Sequence, residues 1–484
     1  MTAQPDRPFT VRDASIAVAL GLGCALGAAW LHQGWLLGDA AALLEKLRPL
    51  RGPHELGSHA LYLPLGRLLG SVAQLEAYHA LAALGWLSAG VIAASVFSSA
   101  RLLGVGARAG SAAALLAVAS PGIAFHTTVI EVHALHAAHV AAGLTLILAV
   151  DSRRPRAVLA TASLVAGTLI LTHRSGVLCA APLTLLAWGR AGAAKPRAAG
   201  LRSLILSATA VGGGALLGVA LDQALHVIFG GPDWFQAREL LAREQTGPSL
   251  ALVLKEAVLP FGVLLPLGLV GSLWPRRSTV TSAWLLVGIL VHPAAVVLFG
   301  VPTRGGYVSP AIVFAAIAAA RALDGLRGRV VVLVLLLLAA QGWLGLRAID
   351  TVEARTKRRA AEQRLELARA LLPDGGLMVT ADLGYQLVTG RLPGIREFNL
   401  GHELGRAIAA GTSPSDFDAA ATAPLIDLIR DSDKRVVWVR DWAADPAIRT
   451  AVAPYMVPIE EALRREFGGR DVNADGVDAV VLRP

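Results

Sequence analysis

The sequence predicts an α-helical polytopic membrane protein with a small C-terminal α/β domain. Apolar and aromatic residues make up 55% of the 484 residues, and charged residues only 16%. The mean hydropathy is +0.57. Together these values exclude a large soluble enzyme, a disordered chain and a disulfide-stabilised domain. The composition changes near residue 350. We therefore expect a transmembrane domain over 1–349 and a separate domain over 350–484.

About eleven apolar runs before residue 350 are long enough to cross a bilayer, or nearly so. They cover approximately 14–36, 79–99, 110–126, 131–150, 157–172, 174–189, 203–229, 256–274, 280–299, 306–321 and 329–347. The first run is too long for the core of a signal peptide, so we interpret it as a retained helix. Two adjacent pairs are joined only by "HTTVIE" and "THRSG". We expect tight turns or broken helices at these junctions.

The distribution of Lys and Arg predicts a cytoplasmic N-terminus. The loops predicted on the same side of the membrane as the N-terminus hold 16 Lys and Arg in 56 residues. The loops on the opposite side hold 9 in 87 residues. Because cytoplasmic loops are enriched in these residues, loop 37–78 and the C-terminal domain are expected to be extracytoplasmic. Topology also explains the net charge of +9 without a nucleic-acid partner. The Ala-, Arg- and Gly-rich composition is typical of bacterial proteins, so we expect the protein in a bacterial inner membrane.

The segment 350–484 begins with a polar helix and continues with short apolar runs between helical segments. The runs "LMVTAD", "REFNL", "RVVWVRD" and "DAVVLRP" are predicted strands, and "PLIDLIRDS" and "PIEEALRREF" are predicted helices. This alternation is typical of a small α/β domain. It contains neither a Gly-rich phosphate loop nor a nucleophile motif, so its chemistry is not predicted.

A first polar cluster lies in loop 37–78. Asp39 directly follows the first span, and the loop adds Lys46, Arg48, Arg51, His54, His59 and Arg67. Basic residues on the outer side are exceptions to the enrichment of Lys and Arg in cytoplasmic loops. An anionic ligand such as a phosphate would explain them, and so would an amphipathic segment lying on the lipid headgroups.

A second cluster falls within fourteen residues and comprises His126, Glu131, His133, His136 and His139. Glu131 stands where a helix begins, a position that favours a carboxylate. The last three histidines recur every three residues along one flank of that helix. This spacing could hold a divalent metal, but hydrogen-bonded packing is the commoner role of a helical histidine. We assign no metal ligand and no cofactor.

His173 and Arg174 form a third cluster, which interrupts an apolar run of about thirty residues. A turn needs only Gly or Ser, so a cation there indicates a buried anion or a carboxylate partner. Weaker candidates on the same side are Asp233, Arg238, Arg243, Lys255, Glu256, Arg304 and Tyr307.

We therefore expect an outward-facing cavity with carboxylates, imidazoles and cations. A carboxylate can act as general base toward a hydroxyl, and cations can stabilise a phosphate leaving group. This inventory fits transfer from a lipid-phosphate donor. A transporter or flippase with a His and carboxylate relay remains open, as does a non-enzymatic scaffold of an envelope assembly.

Four segments in about the first 190 residues carry a family resemblance. They are Gly38-Asp39 after the first span, "SHALYLPLGRLLG", "SPGIAFHTTVIEVHALHAA" and "AGTLILTHRSGVLCAAPL". In these segments the sequence resembles the GT-C superfamily of integral membrane glycosyltransferases. Within it, the likeness is greatest to the family related to protein O-mannosyltransferases.

The resemblance implies an inverting transferase that uses a polyprenyl-phosphate-linked sugar donor. Asp39 would be the general base, and Glu131 and His173 would line the donor or acceptor site. With the clusters above, the expected substrate-binding residues are His59, Arg67, His133, His136, Arg174 and Arg304. The acceptor would be a hydroxyl of a protein, lipid or glycan on the non-cytoplasmic face.

Overall fold

The structure is a computed structural model that divides into two compact units. The described residues are 9–34, 40–47, 59–192, 200–229, 250–273, 279–299, 305–326, 330–381, 392, 394–432, 434–440, 442, 446–474 and 477–482. The first unit comprises the described residues within 1–32 and 45–351, and the second those within 33–44 and 352–484.

The first unit is helical. Its helices are α1 (Val11–Trp30), α3 (Tyr62–Ala73), α4 (Ala77–Leu102), α5 (Ala107–Val118), α6 (Pro121–Thr128), α7 (Val132–Ala149), α8 (Pro155–Thr172), α9 (Ala180–Gly192), α10 (Gly200–Phe229), α11 (Leu264–Leu273), α12 (Thr279–Phe299), α13 (Ser309–Gly325) and α14 (Val330–Ile349). A further helix, α2 (Ala40–Leu47), has residues in both units. Short turns of 3₁₀-helix cover Arg174–Cys179, Leu259–Phe261 and Gly306–Val308, and helix Leu250–Val253 continues into a π-helical turn, Leu254–Val258.

Seven described helices are long and apolar enough to cross a membrane, and two bent pairs raise the number to nine. The bends measure 61° between α5 and α6 and 72° between Leu254–Phe261 and α11. The predicted fold class is confirmed, and the chain is an integral membrane protein. The predicted count of eleven spans is not confirmed. The two remaining runs form α9, with 13 residues, and α12, whose described apolar stretch is Ser282–Leu298.

Local sequence explains both bends. Ser120 is extended, with a ψ of 143°, and Pro121 opens α6. A residue before proline is disfavoured in the helical region, so the helix must restart there. The second bend follows Gly262, whose φ of +56° suits glycine. Apolar run length alone does not reveal either break.

Glycines allow the helices to approach each other closely. A Cβ added to Gly214 of α10 would overlap the carbonyl oxygen of Ser163 in α8. One added to Gly271 of α11 would overlap the carbonyl oxygen of Ala318 in α13. Close backbone approach through small residues is a common means of helix association in membranes. It brings α13 into the centre of the unit, where it is buried almost throughout.

Helices α4 and α7 run in the same direction. Near their starts, the carbonyl oxygen of Thr127 lies 3.1 Å from a Cβ built on Gly85. Near their ends, the hydroxyls of Ser99 and Thr145 are 2.9 Å apart. The two ends of the bundle can therefore be assigned from these helices.

Several charged residues lie at the end where α4 and α7 finish. The guanidinium of Arg101 donates to both carboxylate oxygens of Asp13, at 2.7 and 3.3 Å. Arg190 donates to the carbonyls of Leu148 and Val150. The sequence predicts that this end faces the cytoplasm.

The second unit contains a five-stranded sheet with the order β2-β1-β3-β5-β4. The strands are β1 (Gly376–Thr380), β2 (Ile395–Asn399), β3 (Val436–Val439), β4 (Arg470–Ala474) and β5 (Val477–Leu482). The first three are parallel, and β5 pairs antiparallel with β3 and β4. The helices are α15 (Val352–Leu371), α16 (Gly401–Ala410), α17 (Pro414–Arg430) and α18 (Pro446–Phe467).

The four predicted strands and three predicted helices of this domain are confirmed. They correspond to β1, β2, β3, β5, α15, α17 and α18. Strand β4 was not predicted, because its sequence RDVNA lacks an apolar run. On α18, Glu460 accepts hydrogen bonds from Trp438, Arg440 and Arg464, which links the helix to the sheet.

The glycine contacts yield a matched pair of substitutions on α10. Gly214→Ala should destabilise the protein by about 1–3 kcal/mol, because the added methyl must displace the backbone of α8. Gly213→Ala, where a Cβ meets nothing within 4 Å, should be neutral or stabilising by up to about 1 kcal/mol, since alanine is the better helix former. Thermal unfolding of the purified protein in detergent measures both. Equal effects of the two substitutions would contradict the packing described.

Candidate functional site

Most of the predicted site residues within the described part of the first unit lie at the end where α7 begins. Glu131 and His133 lie at the start of α7, and His173 and Arg174 follow the end of α8. The backbone N–H of Leu61 donates to the carbonyl of Leu171 at 3.0 Å, which brings the segment after His59 to the same place. This is the opposite end from the Asp13–Arg101 ion pair.

His173 lies in the middle of a cluster of aromatic rings, which we call the histidine cluster: His59, His133, His136, His173 and Tyr307. The ring centroids of the four other members lie 5.0, 5.0, 5.2 and 5.2 Å from that of His173. Of the five, His133, His136 and His173 are buried, and His59 and Tyr307 are half-buried. Residues distant in sequence therefore meet at one position.

Local hydrogen bonds fix the orientation of His173. Its Nδ1 accepts from the backbone N–H of Ser175 at 3.2 Å and lies 2.7 Å from the Ser175 hydroxyl. His173 thereby caps the 3₁₀ turn Arg174–Cys179. A ring nitrogen that accepts from a backbone N–H carries no proton, so the proton of the neutral ring is on Nε2. The Ser175 hydroxyl also lies 3.4 Å from Nε2 of His136.

The environment keeps the rings outside the spans uncharged. Burial, with smaller contributions from His133, Arg174 and His226, lowers the pKa of His59 from 6.5 to about 3. Burial, followed by the neighbouring histidines, holds the pKa of His173 well below 6.5. A charged ring here would lose hydration and repel its neighbours. Near neutral pH these imidazoles are therefore hydrogen-bonding groups rather than cations.

Arg174 is the charged group next to the cluster, and its carboxylate partner comes from a distant helix. Its Nε donates to Asp222 of α10 at 3.3 Å; the Arg174 side chain is 16% exposed and that of Asp222 is 1% exposed. His226 donates from Nδ1 to the backbone carbonyl of Asp222 at 2.7 Å. The sequence predicted a buried anion or a carboxylate partner at this position, and Asp222 is a carboxylate partner.

Glu131 lies at the edge of the cluster as the N-cap of α7. Its Oε2 accepts from the backbone N–H of Val132 at 3.0 Å, and the side chain is half-buried. Together, burial and the Glu131 carboxylate raise the pKa of Tyr62 in α3.

A turn from the second half of the unit closes one side of the cluster. The Glu256 carboxylate accepts from the Gly305 N–H at 2.9 Å, and His292 Nδ1 lies 3.0 Å from the carbonyl of Tyr307. A Cβ on Gly306 would overlap the ring of His133. Sequence reasoning gave Glu256 and Tyr307 little weight and gave no role to Asp222, His226 or His292. The available signal was a polar residue inside an apolar run.

Several predicted residues have other positions. Asp39 and Arg304 lie outside the described residues. Arg67 is in α3 and half-buried. His139 continues the spacing of His133 and His136 but is hydrogen-bonded to Thr168 and Thr172 of α8, at 3.0 and 2.6 Å. Within the described ranges, no group of three or more His, Cys, Asp or Glu residues has the geometry of a metal site.

Comparison with known proteins defines the fold. No protein-family profile matches the chain, and no curated protein sequence matches it. Among solved structures it is similar to ArnT from Cupriavidus metallidurans bound to undecaprenyl phosphate, with 15% identity over 97% of each chain and a TM-score of 0.60. The apo state of ArnT gives 15% identity, the same coverage and a TM-score of 0.57. ArnT is a GT-C glycosyltransferase, and this chain has a GT-C-like fold. The narrower resemblance to protein O-mannosyltransferases stays a prediction.

The lowered pKa values predict that the folded state loses stability in acid. The unfolded chain takes up a proton at His59 near pH 6.5, whereas the folded protein does so only near pH 3. Between these values stability falls as the pH falls, by up to about 1.4 kcal/mol per pH unit for each such histidine. Melting temperatures measured from pH 7.5 to 5 should show this decline.

His59→Gln should reduce the dependence of melting temperature on pH. His79→Gln, the same change at an exposed histidine, should leave it as in the wild type. An unchanged pH dependence in His59→Gln would contradict the burial of an uncharged ring at this position.

Proposed function

We propose that this protein is a membrane glycosyltransferase of the bacterial inner membrane. It transfers a sugar from a polyprenyl-phosphate-linked donor to a hydroxyl on the non-cytoplasmic face. The observation that carries the proposal is the fold, which extends over 97% of the chain and of an ArnT structure bound to undecaprenyl phosphate. The cluster of imidazoles beside Arg174 and Glu131, all at one end of the bundle, supports it.

In the proposed reaction, Asp39 is the general base and the anomeric carbon inverts. The acceptor hydroxyl attacks that carbon from the face opposite the phosphate, and Asp39 takes the hydroxyl proton. The bond between the anomeric carbon and the phosphate oxygen breaks with its electron pair on the oxygen. Polyprenyl phosphate therefore leaves as an anion.

The remaining site residues bind and orient the donor. Arg174 and Arg304 provide cations for the phosphate oxygens, whose negative charge grows as the bond breaks. Neutral histidines and the Glu131 carboxylate can hydrogen-bond to sugar or acceptor hydroxyls. Arg67 is proposed to contact the substrate as well, as the sequence predicted. Protein, lipid and glycan hydroxyls all fit this chemistry.

The charged residues at the other end of the bundle agree with the proposed orientation. Arg101 and Arg190 lie at this end, which the distribution of Lys and Arg in the sequence predicts to be cytoplasmic. The histidine cluster would then open to the non-cytoplasmic side of the membrane. Loop 37–78 and the C-terminal α/β domain would be on that side as well.

Asp39→Asn should abolish transfer, with activity at least about 100-fold lower, since an amide cannot accept the hydroxyl proton. Full-length protein in proteoliposomes would be supplied with undecaprenyl-phosphate-linked sugars labelled in the sugar, together with membrane extract as acceptor. Label entering protein, lipid or polysaccharide would be counted, and released undecaprenyl phosphate would be measured by mass spectrometry.

Asp151→Asn is the matched control, because Asp151 is exposed after the end of α7, at the other end of the bundle, and should retain full activity. Full transfer by Asp39→Asn would remove Asp39 from the base role. A wild-type protein that moves lipid-linked sugar across the bilayer without releasing undecaprenyl phosphate would favour a flippase instead.

A further inference from the structure

Two half-buried aromatic side chains cover the buried ring of His173. His59 is stacked on the buried ring of His173, with a centroid distance of 5.0 Å and an interplanar angle of 19°. Tyr307 contacts the same ring edge-on, at 5.2 Å and 77°. We call this pair of rings the His59/Tyr307 wall. Because both rings rest on His173, their spacing is set by one buried residue.

The chemistry of the His59/Tyr307 wall differs from that of the neighbouring Arg174. Aromatic rings offer apolar faces, and imidazole and phenol groups both donate and accept hydrogen bonds. A sugar ring has the matching properties, namely C–H faces and hydroxyls that donate and accept. A phosphate instead prefers a cation, and Arg174 follows His173 directly in the chain.

The turn that carries Tyr307 is held by its backbone. Glu256 accepts from the Gly305 N–H at 2.9 Å, and His292 contacts the Tyr307 carbonyl at 3.0 Å. Gly305 has a φ of +80°, and Gly306 packs against His133 without room for a Cβ. None of these contacts involves the phenol. A substitution of the Tyr307 side chain therefore retains the backbone groups that make these contacts.

We propose that the His59/Tyr307 wall is the subsite for the sugar ring of the donor, with the donor phosphate bound beside it at Arg174. This inference rests on the proposed function and specifies which part of the donor each side chain contacts. It adds Tyr307 to the substrate-binding residues and makes Glu256 and His292 positioning residues that act through the turn.

A binding experiment with two lipids separates the subsites. Full-length protein in nanodiscs would be titrated with undecaprenyl phosphate and with undecaprenyl phosphate linked to glucose, mannose or arabinose. The sugar-linked lipid that the wild type binds most tightly would be used with the variants. Tyr307→Ala should weaken binding of this lipid by about threefold to tenfold, the range for loss of an aromatic contact, and leave undecaprenyl phosphate binding unchanged. Arg174→Gln should weaken the binding of both lipids.

Tyr307→Phe keeps the ring but removes the hydroxyl. Its affinity for the sugar-linked lipid should lie between those of the wild type and Tyr307→Ala. Melting temperatures close to that of the wild type would show that the variants are folded. The inference is overturned if Tyr307→Ala binds both lipids with the affinity of the wild type, or if its affinity for both lipids falls by the same factor. It is also overturned if no linked sugar increases the wild-type affinity. A wild type that binds neither class of lipid overturns the proposed function itself.

Discussion

The arrangement of this site depends on keeping clustered imidazoles uncharged. Four histidines and a tyrosine surround one another at centroid distances near 5 Å, and three of the histidines are buried. Two positive rings at that separation would repel each other while losing their hydration. Neutral rings instead stack and hydrogen-bond, as the contacts of His173 with Ser175 and His59 show. The apolar helices around the cluster thus determine its chemistry as well as its shape.

The sequence predicted that His59, His133, His136, His173 and Arg174 lie on the outer side, because His59 falls in loop 37–78 and the other four lie at the outer ends of apolar runs. The ends of membrane helices can be predicted from sequence, because apolar runs are long and Lys and Arg are unequally distributed across the membrane. Four of the five strands of the C-terminal domain were equally clear, since each of the four has its own apolar run. These predictions depend on signals that are local along the chain.

The features that were missed depend on contacts between distant segments. The partner of Arg174 is Asp222, 48 residues later, and nothing in the sequence pairs these two positions. The same is true of Glu256 with Gly305. Helix breaks were missed for a related reason. The run that contains Pro121 is apolar on both sides of the proline, so its length predicts one straight span although the chain bends by 61°.

Two arginines at opposite ends of the bundle each pair with a buried carboxylate. Arg101 is bound by both oxygens of Asp13 and is only 10% exposed, so its charge is matched within the protein. Arg174 contacts Asp222 at the longer distance of 3.3 Å and is 16% exposed. A buried carboxylate offsets part of the cost of placing this arginine at the end of the bundle predicted to be extracytoplasmic. An anionic headgroup would compete with Asp222 for the same guanidinium.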